Sequence, residues 1–206
     1  MPFDVDKLLP YCRERIAQFA PDHSSETFYA FAIDANMLCL NSVEEFAKTL
    51  HKYQSRWDRR TRSITAIADL TDEDLRNEKF RLDLAESCKG LDRSNPDAVL
   101  AEINEGRSRM RSEGCEYRIA EGIRSLRENT GDWAYQGFAD MDEDHGFDRD
   151  LYFNVHYYEA SADGGAPHTQ YAIAMTELVE RLRSSDAFKP LQLTDDFTVS
   201  WVDHNY

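Results

Sequence analysis

The sequence has few cysteines, no long hydrophobic run and little positive charge. Its four cysteines lie far apart and form no C-x-x-C pair. This spacing predicts reduced thiols rather than a disulfide framework. The longest stretch that is poor in charge, residues 27–43, is interrupted by Asp34 and is too short to span a bilayer. We therefore expect neither a disulfide scaffold nor a membrane protein.

Acidic residues dominate the charge of the chain. It has 24 Lys+Arg against 39 Asp+Glu, for a net charge of −15. This excess repels phosphate backbones, which disfavours binding to nucleic acid and favours a basic protein partner. The N-terminal residues lack the basic start and apolar stretch of a signal peptide. We therefore expect a cytoplasmic protein.

Length and apolar content are those of a folded protein. Of the 206 residues, 41% are hydrophobic and 12% are aromatic, which is enough for a core without metal or disulfides. No repeat or low-complexity tract interrupts the sequence. We expect a single domain that comprises residues 1–206.

Apolar periodicity predicts the elements of the N-terminal part. Helical spacing over residues 5–19 indicates a first helix. Two apolar runs, residues 28–33 and 37–40, indicate a β-hairpin. Ser42 begins an S-x-x-E capping box that indicates a second helix with an aromatic face. This helix is predicted to end in a basic cluster: Arg56, Arg59, Arg60 and Arg62.

The remaining sequence alternates between helical and strand signals. Residues 63–70 and 151–158 alternate well enough for short strands, and two polar helices are expected between positions 71 and 110. Residues 117–126 fit a helix slightly better than a strand. A last amphipathic helix carries Tyr171, Met175, Leu178 and Leu182, and residues 197–202 are predicted to form a closing strand. This order predicts an α+β fold with helices packed on an antiparallel or mixed sheet.

An acidic loop at residues 140–150 is the strongest candidate for a functional site. Alternating carboxylates suit Ca²⁺, but His145 occupies the position of the turn glycine and Leu151 that of the closing glutamate, so no metal site is predicted. The aromatic segment at residues 130–138 indicates core anchors, which we favour, or a binding surface. The predicted partner-binding residues are Asp140, Asp142, Glu143, Asp144, Asp148 and Asp150, with Trp133 and Tyr135.

Signals for catalysis and cofactors are weak. The sequence has no G-x-S-x-G, S-x-x-K or glycine-rich phosphate loop, and its histidines lack the spacing of a zinc site. No catalytic residue and no cofactor are therefore predicted. The alternative is an enzyme or small-ligand protein whose site is assembled only in the fold, with Asp132, His145 and His156 as candidates. A third hypothesis is a structural or regulatory subunit with an apolar surface patch.

Three segments together resemble a bacterial family, domain of unknown function family 4303. They are Thr27-Phe28-Tyr29-Ala30-Phe31-Ala32-Ile33, the GDW-Y-F pattern at residues 131–138, and the aromatic residues 152–158. The resemblance covers most of the chain and implies no catalytic residues. Members look like small cytoplasmic proteins that are considered with the immunity proteins of bacterial toxin systems. The resemblance implies a protein that neutralises a toxin by binding it, and the acidic surface suits a basic toxin or effector domain.

Overall fold

The structure is a computed structural model that describes residues 2–68, 115–153 and 169–202. The α-helices in these residues are α1 (Val5–Phe19), α2 (Val43–Ala68), α3 (Ala120–Glu128), α4 (Arg149–Leu151) and α5 (Gln170–Arg183). The strands are β1 (Thr27–Asp34), β2 (Met37–Ser42), β3 (Tyr135–Asp140) and β4 (Gln192–Val202). The structure confirms the predicted fold class, α+β with a mixed sheet.

Contacts divide the chain into two compact units. The first comprises Met1–Thr49 and Arg127–Tyr206, and the second comprises Leu50–Leu126. The two polar helices that were predicted between positions 71 and 110 lie outside the described residues. No helix in the described ranges is both long and apolar enough to cross a membrane.

The sheet of the first unit has the strand order β3-β2-β1-β4. β1 and β2 form the predicted antiparallel hairpin, with Asp34 opposite Met37 at the turn. β3 pairs antiparallel with the other side of β2. β4 pairs in parallel with β1, from Thr27 beside Gln192 to Asp34 beside Val202. The sheet is therefore mixed, with β1 and β2 at its centre.

The side chains of β1 contribute to two hydrophobic clusters, because successive residues of a strand point to opposite faces. A bulge between Phe28 and Ala30 shifts this alternation by one residue. Phe28, Phe31 and Ile33 belong to the main core, together with buried residues of α1 and α5. Tyr29 and Ala32 belong to a smaller cluster. Since both faces are covered, every residue of β1 after its first is buried.

Helix α1 confirms the helix that was predicted over residues 5–19. The Asp4 carboxylate caps it by accepting a hydrogen bond from the backbone N–H of Lys7 at 3.4 Å. Pro10 lies in the second turn, and the helix continues to Phe19. The buried residues recur at helical spacing. They are Val5, Leu8, Tyr11, Cys12 and Ile16.

Helix α2 begins where the capping box predicted and ends later than predicted. The backbone N–H of Glu45 donates to Ser42 Oγ at 3.2 Å. The helix then continues past the arginine cluster to Ala68, so the predicted strand at residues 63–70 is wrong over positions 63–68. Each β-branched residue there costs a helix well under about 1 kcal/mol. Since neither glycine nor proline interrupts these positions, nothing in this stretch ends a helix that is already formed.

The second unit confirms the helix that was favoured for residues 117–126, since α3 covers Ala120–Glu128. A 3₁₀ turn at Glu116–Arg118 precedes it. The guanidinium of Arg118 pairs with both carboxylate oxygens of Asp58 at 2.8 Å. Gln54 donates to the Tyr117 carbonyl at 2.8 Å. These contacts join the turn before α3 to α2 inside the second unit.

The last predicted elements have mixed outcomes. Helix α5 and strand β4 confirm the closing helix and strand. The predicted strand at residues 151–158 is wrong at positions 151–153, which are helical, and its other positions lie outside the described residues. Asp148 accepts a hydrogen bond from the backbone N–H of Leu151 at 2.7 Å, and this cap begins a helical turn.

Three cysteines lie in the described residues, and all three are buried and unbridged: Cys12, Cys39 and Cys115. Burial raises the pKa of the Cys12 and Cys39 thiols to about 12. A buried thiol with a high pKa stays protonated and behaves as a small apolar side chain. These three thiols are therefore free in the described part of the chain.

Candidate functional site

The acidic loop, residues 140–150, follows β3 and is built from two capped turns. Asp142 caps a 3₁₀ turn, Glu143–His145, by accepting from the backbone N–H of His145 at 3.2 Å. Asp148 caps α4 in the same way. Aspartate is a preferred residue at both kinds of turn start because its short carboxylate reaches the free N–H groups. Two of the six predicted acids therefore shape the loop itself.

The first half of the acidic loop is fixed to the hairpin turn and to α1. Met141 is fully buried, and its backbone N–H donates to the Asn36 carbonyl at 2.7 Å. The amide of Asn36 donates back to the Met141 carbonyl at 3.2 Å. The hydroxyl of Tyr11 donates to the Asp140 carbonyl at 2.5 Å. These bonds hold the backbone at the point where the loop leaves the sheet.

The second half of the acidic loop is fixed to the N-terminal segment. Phe147 is fully buried, and its ring lies 5.1 Å from the ring of Phe3. The backbone N–H of Asp4 donates to the Gly146 carbonyl at 2.8 Å, and that of Asp148 donates to the Pro2 carbonyl at 2.9 Å. The loop is thus held at both ends by buried side chains and backbone hydrogen bonds.

Four of the six predicted acids on this loop are exposed: Asp140, Glu143, Asp144 and Asp150. None of the four forms an ion pair with a residue that the structure describes. Asp142 instead faces His145 Nδ1 at 2.5 Å, and Asp148 is partly buried. Glu143 accepts a hydrogen bond from the backbone N–H of Arg149 at 3.3 Å. A fixed backbone therefore presents several carboxylates to solvent without an ion-pair partner among the described residues.

Trp133 and Tyr135 have structural roles. Trp133 is 7% exposed, and its indole N–H donates to the Arg127 carbonyl at 2.9 Å. Its ring belongs to the smaller hydrophobic cluster, at 6.2 Å from the ring of Tyr29. Tyr135 is partly buried, and its hydroxyl donates to Glu26 at 2.5 Å. Little of the Trp133 side chain is accessible to a partner, so this residue acts as the core anchor that the sequence favoured.

The candidates for an enzyme site do not form a site in the described part of the chain. Asp132 lies in a 3₁₀ turn and accepts from the Asn129 amide at 2.6 Å. His145 contacts Asp142 and packs on the ring of Tyr11 at 3.9 Å. No contact joins Asp132 to His145 among the hydrogen bonds and ring contacts of the described residues, and His156 lies outside them.

A polar cluster that sequence reasoning missed surrounds Glu26. Its carboxylate accepts from Ser42 Oγ at 2.5 Å, from the Tyr135 hydroxyl at 2.5 Å and from His23 Nδ1 at 3.0 Å. The His23 ring stacks on Phe19 at 4.0 Å. We call Glu26, His23, Ser42 and Tyr135 the Glu26 cluster. It joins the segment before β1 to the end of β2 and the start of β3.

The charge of Glu26 is stabilised inside this cluster. Burial raises the pKa of Glu26. The hydrogen bonds from Ser42, Tyr135 and His23 together lower this pKa by more than burial raises it, so the net shift is downward. Burial and the neighbouring carboxylate raise the pKa of the Tyr135 hydroxyl, so that hydroxyl remains a donor. Since each donor has its acceptor, a structural role accounts for the cluster.

Metal binding gains no support from the described geometry. These residues contain no group of three or more His, Cys, Asp or Glu side chains that could hold a metal ion. In the acidic loop, Asp142 and Asp148 are used as caps, and the other acids lie exposed at separate positions.

Comparisons with protein-family models, with curated proteins and with solved structures give no match to this chain. The resemblance to family 4303 therefore stays a prediction. The functional assignment depends on the charge, burial and contacts of the residues described above.

Gly146 has the backbone conformation on which the acidic loop depends. Its φ is +89°, and a Cβ there would lie 2.9 Å from Asp4 Cβ and 3.2 Å from the Asp4 carbonyl oxygen. We expect Gly146→Ala to lower the free energy of unfolding by about 2 kcal/mol, because the left-handed conformation and the close contact are both unfavourable for alanine. Urea denaturation measures this loss. Gly131→Ala, where the Cβ would meet only the Asn129 side chain at 3.4 Å or more, is the control. Equal stability of the two variants would contradict the prediction.

Proposed function

We propose that this protein is a cytoplasmic binding protein of the immunity type, which neutralises a basic toxin or effector domain by covering it with an acidic surface. The acidic loop is the proposed contact region. The single observation that carries this proposal is an exposed excess of carboxylates on a backbone that buried Met141 and Phe147 hold in place.

Electrostatics explains why such a loop suits a basic partner. The acidic loop contains six carboxylates and one basic residue, Arg149. This excess leaves a local negative potential, and the net charge of −15 reinforces it over longer distances. Complementary charge speeds the encounter of two proteins and excludes partners of the wrong sign. The interaction weakens as salt increases because counterions screen exposed charges.

Rigidity adds to the support for a binding surface. An interface that forms from a flexible loop loses affinity because the loop must be ordered on binding. In the acidic loop, hydrogen bonds from Asp4 and Tyr11 to loop carbonyls already fix the backbone. Much of the ordering cost is therefore met when the protein folds, before the partner arrives.

A salt-dependent capture experiment tests the proposal. The purified protein is used to capture partners from the source cells at low and at high salt, and the retained proteins are identified by mass spectrometry. We expect one basic protein in stoichiometric amount that is lost at high salt. That protein is then purified for affinity measurements and for a toxicity assay.

Charge reversal locates the contact region on the chain. We expect Glu143→Lys, Asp144→Lys and Asp150→Lys in one variant to weaken the purified pair by about tenfold or more, because three attractive contacts become repulsive. The matched control replaces three exposed acids outside the acidic loop with lysine: Glu121, Glu180 and Asp195. Both variants change the net charge equally, so calorimetric titration separates a local effect from a global one. Equal affinities for the two variants would exclude the acidic loop as the contact region.

A further inference from the structure

A groove of about 360 Å³ lies between the N-terminal segment and helix α5. Phe3 and Val5 line one wall, and Ala174 and Ile173 line the other. The first three of these side chains are buried, whereas Ile173 is 58% exposed. Exposure of a large aliphatic side chain beside an apolar groove is a feature of contact surfaces.

The wall formed by α5 is a continuous stripe of the helix. Gln170, Ile173, Glu177 and Arg181 are three or four residues apart and all line the groove, so they lie on one face. Ile173 is the apolar residue at the centre of this stripe, with polar and charged side chains on both sides along the helix.

The rim of the groove is acidic. The carboxylates of Asp6 and Glu177 share the guanidinium of Arg181, at 2.8 and 3.3 Å. The carboxylate of Asp4 also lines the groove and caps α1. The lining of the groove therefore includes three carboxylates and one guanidinium, which leaves the rim with a net negative charge. A partner segment that enters the groove must match this charge.

The groove is continuous with the acidic loop. The backbone of Phe3 pairs with that of Phe147, and the N–H of Asp4 donates to the Gly146 carbonyl at 2.8 Å. The same N-terminal segment therefore forms a wall of the groove and supports the loop. One partner can contact both, with its basic residues at the carboxylates and an apolar side chain in the groove.

We propose that this groove receives an apolar side chain that a basic protein partner presents between lysine or arginine residues. The inference rests on the proposed function and adds the anchor that an acidic surface alone lacks. Apolar groups buried at the centre of an interface supply most of the binding energy, whereas exposed charged pairs at the rim supply little. The groove would thus supply most of the binding affinity, and the acidic loop would increase the association rate and the specificity.

Three pentapeptides test the groove by nuclear magnetic resonance of the full chain with labelled isoleucine methyl groups and backbone amides. They are Lys-Lys-Phe-Lys-Lys, Lys-Lys-Ser-Lys-Lys and Glu-Glu-Phe-Glu-Glu. We expect the first to shift the Ile173 methyl signal and to bind about tenfold more tightly than the second, since it buries a phenyl ring. The acidic peptide should not bind.

Two variants provide the matched comparison. Ile173→Asp should remove the tenfold advantage of the phenylalanine peptide. Ile119→Asp, at an isoleucine that is 55% exposed and outside the groove, should leave the advantage unchanged while adding the same charge. Both positions are exposed, so neither change is expected to disturb folding.

The outcomes separate this inference from the proposed function. If both lysine peptides shift the loop amides equally and the Ile173 methyl signal does not move, the groove is wrong and the acidic surface stands. If the phenylalanine peptide shifts only the Ile173 methyl signal, the groove is supported and the loop loses its proposed role. Movement of that signal with protein concentration alone would assign the groove to a second copy of this chain and overturn the inference.

Discussion

Phe147→Ala is expected to lower the free energy of unfolding by about 3–5 kcal/mol, the range for removal of a fully buried aromatic ring. The Phe147 ring is fully buried, and it contacts the rings of Phe3, Tyr152 and Tyr171 at centroid distances of 5.1, 5.8 and 6.1 Å. Alanine would leave a cavity among these rings, because the surrounding side chains fill such a space only in part.

A second phenylalanine, close to Phe147 in the sequence but exposed, serves as the control for the loss of a buried ring. Phe153 is 43% exposed, so Phe153→Ala should change stability by less than about 1 kcal/mol. Both free energies come from urea denaturation followed by circular dichroism. If Phe147→Ala were as stable as Phe153→Ala, the described anchor of the acidic loop would be wrong. If the anchor is right, Phe147→Ala also weakens partner binding at a temperature at which the variant remains folded.

Glu26→Ala is expected to lower the free energy of unfolding by about 2–3 kcal/mol at pH 7, because three donors lose one charged acceptor. Ser42, Tyr135 and His23 all donate to this carboxylate, and its side chain is only 16% exposed. Glu180 is exposed on α5. Glu180→Ala is therefore the control and should stay close to the wild type.

The same carboxylate gives the stability a dependence on pH with a definite sign. The pKa of Glu26 in the folded protein lies below its usual value of 4.5, so folding favours the ionised form. This contribution is present above about pH 4.5 and is lost as the pH falls through the lower folded value. We expect the difference in stability between wild type and Glu26→Ala to shrink as the pH falls from 5 to 3. A constant difference over that range, measured in urea at each pH, would contradict the role of the charge.

Local patterns in the sequence identify most elements that the structure describes. The helical spacing from Val5, the apolar hairpin and the Ser42 cap depend on neighbouring residues, and each is confirmed. The predicted end of α2 was wrong, because basic residues stabilise the C-terminal end of a helix but do not stop the helix from continuing. The strand that was predicted from Leu151 was wrong in its first residues. The Asp148 side chain caps a helical turn there, and this local cap outweighs the alternation of apolar and polar residues that predicted the strand.

The acidic loop could be found from the sequence, but the separate roles of its acids could not. Composition shows the carboxylates, whereas only the fold separates the capping Asp142 and Asp148 from the exposed Asp144 and Asp150. The Glu26 cluster lay beyond sequence reasoning, because Tyr135 reaches Glu26 from a distant part of the chain. No characteristic spacing in the sequence predicts a contact between residues so far apart.

The parallel pairing of β1 with β4 has a consequence for the order in which the sheet forms. β1 and β2 are neighbours in the chain and can meet early, whereas Thr27 finds Gln192 only after almost the whole described chain has been brought together. Contacts of such long range cost chain entropy before they yield stability, and they slow folding. Until β4 arrives, one edge of the most buried strand stays open, and an open apolar edge can pair with the same strand of another molecule. If the hairpin forms first, pairing of β4 with β1 closes this edge and so prevents aggregation through it.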